Sequence, residues 1–129
     1  MSTNGPGETV DRLVQAINRA DLEGALALYE PEAVMVVEPG QIVRGTSELR
    51  EALEAFIALS PTLRSQAQQV IEAGELASYV GRWALRGTDS AGRPVIMGGE
   101  SSNILRRQAN GHWLIVLDNP WGARILSSR

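Results

Sequence analysis

Carboxylates, amides, hydroxyls and aromatic rings are the only side chains on which this chain could build chemistry. Its 129 residues contain no cysteine, which excludes thiolate nucleophiles, disulfides and Cys-ligated metal centres. A single histidine, His112, excludes a multi-histidine metal site within one chain. All twelve basic residues are arginine, so Schiff-base chemistry and a P-loop lysine are excluded as well. Four residues remain as catalytic candidates. Glu38, followed by Pro39, and Asp118, followed by Asn119-Pro120, could serve as general acid or base if burial raised their pKa toward neutrality. Asn103 and Asn119 could orient a water or a substrate carbonyl. Tyr29, Tyr79, Trp83, Met97, Ser101 and Trp121 are the candidates for lining an apolar ligand pocket, since Tyr and Trp offer a flat apolar body with a polar tip. Against these stand plainer alternatives: a solvated carboxylate at a turn for Glu38, structural amides for Asn103 and Asn119, and core filling for the aromatics. His112, beside the Asn110-Gly111 turn, receives no catalytic role.

The elements that must position these groups follow from hydrophobic periodicity. Val10, Leu13, Val14 and Ile17 form one stripe of a helix over 8–19. Asp21 caps a second helix through Leu22, Ala25, Leu26 and Tyr29, which Pro31 ends. Ala33 to Glu38 is a short β-branched strand, Pro39-Gly40 a turn and Gln41 to Arg44 the return strand of a hairpin. Thr46 or Ser47 caps a third helix carrying Leu49, Leu53, Phe56 and Ile57, and Ser60-Pro61 stops it. From Thr62 the period becomes two, giving long strands over 62–73, 76–88 and 94–108, then a last strand over 112–119. Residues 1–7 read as a disordered lead-in and 8–129 as one domain. Helices first and an antiparallel meander after define an α+β fold, with three N-terminal helices covering one face of a strongly curved sheet to form a cone with an open mouth.

Alternation along the strands sorts the candidates by face. Ala77, Tyr79, Gly81, Trp83 and Leu85 share the inner face of one strand; Val95, Met97, Gly99, Ser101, Asn103 and Leu105 share that of the next. On the last strand Trp113, Ile115, Leu117 and Asn119 fall together, leaving Asp118 on the outside. The favoured reading is therefore an ion pair between Asp118 and Arg82 or Arg106. A bulge would reverse the facing and make Asp118 a better acid/base than Glu38, because a one-residue slip flips every side chain. Gly98-Gly99 lies mid-strand without phosphate-loop spacing and reads as a bulge.

Four stretches resemble the NTF2-like superfamily, which includes ketosteroid isomerases and SnoaL-like polyketide cyclases: NRADLEGALALY from Asn18 to Tyr29, VRGT from Val43 to Thr46, GRWALRGTD from Gly81 to Asp89, and LRRQANGHWLIVLD from Leu105 to Asp118. The resemblance spans about Glu8 to Trp121. It implies the cone-shaped α+β fold, a pocket inside the cone and a homodimer through the sheet, but no single activity, since this fold hosts isomerases, cyclases, dehydratases and non-catalytic modules. In the ketosteroid isomerases an Asp-Pro near Glu38-Pro39 supplies the base; Glu38 stands one residue late for that role. The helix-1 position of the family's oxyanion tyrosine is Leu13 here, and the inward residues nearest its second oxyanion donor are Ser101 and Asn103. Steroid isomerisation by that route is not expected.

Net charge of −3 and a pI near 5.2 argue against a nucleic-acid partner. No apolar run approaches the roughly 20 residues that span a bilayer, and the N-terminus has no charged-then-apolar secretory pattern, so a cytoplasmic protein without a membrane partner is expected. No cofactor or metal is implied. Two function classes follow: a cofactor-independent isomerase, cyclase or dehydratase acting on a small apolar or polyketide-like carbonyl compound, or a non-catalytic ligand-binding or dimeric accessory module. The first predicts a cavity on the order of a few hundred Å³ with a buried carboxylate. A third class, a protein-partner module, needs a large exposed apolar patch.

Overall fold

Six strands form one sheet in the order β2-β1-β6-β5-β4-β3, with helices packed on one face, in a computed structural model that describes residues 5–127 and the side chains of 5–124. Helix α1 covers Pro6–Asn18 and α2 Leu22–Leu26; strands β1 (Tyr29–Glu38) and β2 (Gln41–Arg44) form the first hairpin, followed by α3 (Gly45–Ile57). Strands β3 (Thr62–Ala73), β4 (Leu76–Thr88), β5 (Pro94–Arg107) and β6 (Trp113–Asp118) follow, and a short 3₁₀ segment, η1, runs over Gly122–Ser127. All neighbours are antiparallel except β1 and β6, which run parallel. No helix is long and apolar enough to cross a membrane among the described residues.

The helices bury their predicted stripes. Val10, Leu13 and Ile17 of α1 and Leu49 and Leu53 of α3 meet Tyr79, Leu105 and Ile115 of the sheet in one core. Each such side chain, when fully buried, contributes about 1.5–3 kcal/mol. Asp21 caps α2 as its type predicts, accepting the Gly24 N–H at 2.9 Å.

Several boundaries depart from periodicity. Pro6 and Gly7, expected in the lead-in, open α1, where a missing proline N–H is harmless; residues 1–4 of that lead-in lie outside the described residues. Helix α2 is a single turn, and Tyr29 already opens β1. Pro31 therefore does not end a helix. It lies in β1 between Tyr29 and Val34, where pairing with β6 is irregular and a residue without an N–H is tolerated. Neither Thr46 nor Ser47 is the cap of α3: Arg44 occupies that position, and the Glu48 carboxylate reaches back to accept its N–H at 2.8 Å.

Gly98-Gly99 is not a bulge. Gly98 pairs with Ala84 and Gly99 with Trp83 in unbroken register. A Cβ at Gly98 would stand 2.8 Å from the Trp83 carbonyl oxygen and one at Gly99 2.9 Å from Arg124, so these glycines admit close neighbours. Irregular pairing occurs elsewhere, between Val36 and Glu38 where β1 meets β2, between Ala67 and Gln69 of β3, and between Ile104 and Leu105 where β5 meets β6.

Candidate functional site

The irregularity between β5 and β6 decides the site. Ile104 pairs with Leu117 and Leu105 with Ile115, so Val116 is an extra residue in β6. Inward facing passes from Ile115 to Asp118 instead of to Leu117, and Asp118 is buried with 8% of its surface exposed. Its parallel partner on β1 is the buried Met35, on the same side of the sheet. The favoured outward facing of Asp118 is thus overturned, and so is its pairing with arginine. Arg82 pairs with Glu100 at 3.1 Å and Arg106 with Glu30 at 2.9 Å on the outer face.

The partner of Asp118 is Tyr29, whose hydroxyl donates to Oδ2 at 2.5 Å. Burial raises the Asp118 carboxyl above its ordinary value of 3.8, and the Tyr29 hydrogen bond opposes the rise without cancelling it. The Tyr29 hydroxyl is pushed well above 10 by its own burial and by the adjacent carboxylate, so it stays protonated and donating.

Asn103 completes the polar wall. Its Oδ1 accepts the Asn119 backbone N–H at 2.8 Å, which fixes the amide orientation and leaves the NH2 end for the cavity it lines. Ser101 lines the same wall, its hydroxyl 3.5 Å from the Gly81 carbonyl oxygen. Asn119, a catalytic candidate from sequence, is a brace instead: its side chain donates to the Gly122 carbonyl at 3.2 Å and accepts the Trp121 N–H at 3.2 Å.

These groups face a cavity of about 100 Å³ between the helices and the sheet. Its apolar walls come from Val10, Leu13 and Ile17 of α1, Leu53 and Phe56 of α3, and Trp83, Leu85 and Trp121. Leu13, standing where the family's oxyanion tyrosine is expected, is an apolar wall residue. The volume falls short of the few hundred Å³ expected for an enzyme pocket of this class, because large side chains converge on it. Trp83 and Trp121 meet edge to face with centroids 5.5 Å apart, and each ring N–H is tied to the backbone: Trp83 to the Pro120 carbonyl at 2.6 Å, Trp121 to that of Val37 at 3.0 Å.

Besides Asn119, three sequence candidates lie outside this cavity. Glu38 is exposed at the end of β1, beyond an irregularity in the pairing with β2 between Val36 and Glu38, and lines a surface groove instead of the cavity. Tyr79 is a core residue, 1% exposed, with its hydroxyl 3.2 Å from Ser65 Oγ. Met97 lines a neighbouring surface groove with Glu38, not the cavity. Sequence reasoning missed Ser65, which does line the cavity. The period-two placement of Leu63 and Ser65 on β3 was the available signal, hidden among polar neighbours. Among the described residues no three His, Cys, Asp or Glu side chains gather to hold a metal ion.

The fold has many relatives of low sequence identity. An NTF2-like superfamily protein from Salmonella enterica matches with TM-score 0.76 at 22% identity, over 87% of this chain and 84% of that one. A conserved protein from Planctomyces limnophilus matches with TM-score 0.76 at 18% identity, over 86% and 88%. A ketosteroid isomerase-like protein from Erwinia carotovora matches with TM-score 0.69 at 22% identity, over 87% and 88%. A search of curated proteins gave no match. The SnoaL-like domain family matches residues 10–114, most of the chain. With its six-stranded curved sheet and one-sided helical layer, the chain shares the fold of NTF2-like proteins, and it belongs to the SnoaL-like family.

Proposed function

We propose that the cavity binds a small apolar carbonyl compound, of about one ring, and that Asp118 acts on it as general base and then general acid. The observation that carries this reading is a buried carboxylate, hydrogen-bonded to one tyrosine, at the wall of a largely apolar cavity. Ionised Asp118 would take a proton from the carbon next to the carbonyl. The Asn103 NH2 would donate to the oxygen on which negative charge develops. Protonated Asp118 would then return the proton to a different carbon, which is isomerisation, or to a departing hydroxyl, which is dehydration. Tyr29 holds the carboxylate in place and keeps its own proton throughout. Glu38 has no part in this scheme.

The test is deuterium exchange at the α-carbon of cyclopentanone in D2O, followed by proton NMR. The protein is expected to accelerate exchange, and Asp118→Asn to lower the acceleration by roughly a hundredfold or more. Unchanged exchange in Asp118→Asn would overturn the reading. Binding of the ketone without any acceleration would favour the second reading, a ligand-binding module, which the small and largely apolar cavity also supports.

The same proposal includes a homodimer through the outer face of the sheet. Val80, Ala84 and Ile104 lie there among arginines, and Ile96 is 75% exposed. Sedimentation at micromolar concentration is expected to give a dimer; a monomer would remove this part.

A further inference from the structure

Two spaces meet at Trp121. On one side is the cavity with Asp118; on the other is a surface groove lined by Val37, Ala52, Ala55, Leu59 and Met97. Phe56 and Trp121 line both. Phe56 belongs to α3, whereas Trp121 stands between β6 and η1, on a segment built to hold one side chain in place. Its ring N–H donates to Val37 O, its backbone N–H to Asn119 Oδ1, and its ring meets Trp83 on one side and the Arg124 guanidinium, 5.1 Å from the centroid. Gly122, next in sequence, has φ +54°, and a Cβ there would lie 2.6 Å from the Glu100 carbonyl oxygen. The backbone can therefore turn here only with glycine, immediately behind the indole.

We infer that Trp121 is a specificity-determining residue: its indole is the partition that limits the ligand to about one ring. The inference rests on the reading of the cavity as a binding site for a small apolar molecule. The cavity's 100 Å³ is on the scale of a single six-membered ring, since an apolar cavity of about 150 Å³ holds benzene. A second fused ring has no room unless the indole is removed. Beyond the indole, the groove offers apolar walls on which such a ring can lie. Truncating Trp121 joins the two spaces without interrupting a helix or strand.

The experiment measures binding of phenol and 2-naphthol by calorimetry. Native protein is expected to bind phenol and to bind 2-naphthol at least about tenfold more weakly. Trp121→Ala is expected to bind 2-naphthol at least about tenfold more tightly than the native protein does, and phenol more weakly, since phenol loses one wall of its cavity. Trp121→Leu, which still packs on Trp83, serves if the alanine variant does not fold. Adding Ala55→Phe, at an exposed position on the groove side, is expected to refill the groove and abolish the gain. Equal binding of both probes by native protein, no gain in the truncated variant, or a gain that survives Ala55→Phe would overturn the inference. If phenol fails to enter the native protein, the reading of the cavity as a ligand site fails. The response of 2-naphthol to truncation still decides whether the indole is the partition.

Discussion

Glu38 and Asp118 lie at the C-terminal ends of two adjacent parallel strands, β1 and β6, and their fates are opposite. In β1 the pairing with β2 slips between Val36 and Glu38, but at the open end of the strand, and Glu38 stays exposed. In β6 the extra residue Val116 breaks alternation, and Asp118 is carried inside, where Tyr29 meets it. The difference is what covers the residue beyond the slip: Tyr29 and the cavity wall over Asp118, solvent over Glu38. It teaches that slipped register alone does not bury a carboxylate; the neighbouring strand must also supply a partner for it.

The sharpest way to break this comparison is to neutralise each carboxylate in turn. Asp118→Asn is expected to lower α-proton exchange by roughly a hundredfold or more, while Glu38→Gln leaves it within about twofold, since an exposed side chain outside the cavity has no role in positioning the base. Equal effects in the two variants would dissolve the contrast. A smaller effect is expected for Asn103→Ala, which leaves the Asn119 N–H without its acceptor. Urea unfolding should show a loss of about 1–3 kcal/mol, with a drop in exchange beyond what the stability change explains.

Stability against pH sharpens the same contrast. A folded-state pKa raised above the unfolded value favours the protonated form in the fold. The contribution of Asp118 is therefore complete below 3.8 and is lost as pH rises through its raised folded value. Native protein is expected to lose stability relative to Asp118→Asn as pH climbs from about 4 through that raised value, measured by urea midpoints. The smallest effect belongs to the outer arginines. Arg82→Ala and Arg106→Ala each remove one largely exposed ion pair, so stability should change by less than about 1 kcal/mol. Exchange should not change, since neither arginine touches Asp118.

Where the chain follows one period without interruption, its sequence is a sufficient guide. Strand β4, from Leu76 to Thr88, and the inner set Ser101, Asn103 and Leu105 of β5 fall on the faces that alternation assigns. Tyr29, Trp83, Ser101, Asn103 and Trp121 all reach the cavity. The facing of Asp118 was not legible, because a single-residue bulge leaves no mark in a run as apolar as WLIVLD; either register buries something apolar. Tyr29 was assigned to the wrong element, since the spacing from Leu22 suits a helix until pairing with β6 claims the chain. Asn119 and Tyr79 show the remaining limit: residue type announces a polar or aromatic group, but only the fold shows whether it faces a cavity, braces a backbone or fills the core.

The central claim is that Asp118 is a buried base held by Tyr29, and its carboxyl titration tests this most directly. Labelled with carbon-13 and followed by NMR from acid to neutral pH, the Asp118 carboxyl should titrate clearly above 3.8. The midpoint should move higher still in Tyr29→Phe, where the hydrogen bond that favours the anion is gone. A midpoint at or below 3.8, unmoved by Tyr29→Phe, would contradict the claim and place the carboxylate in water.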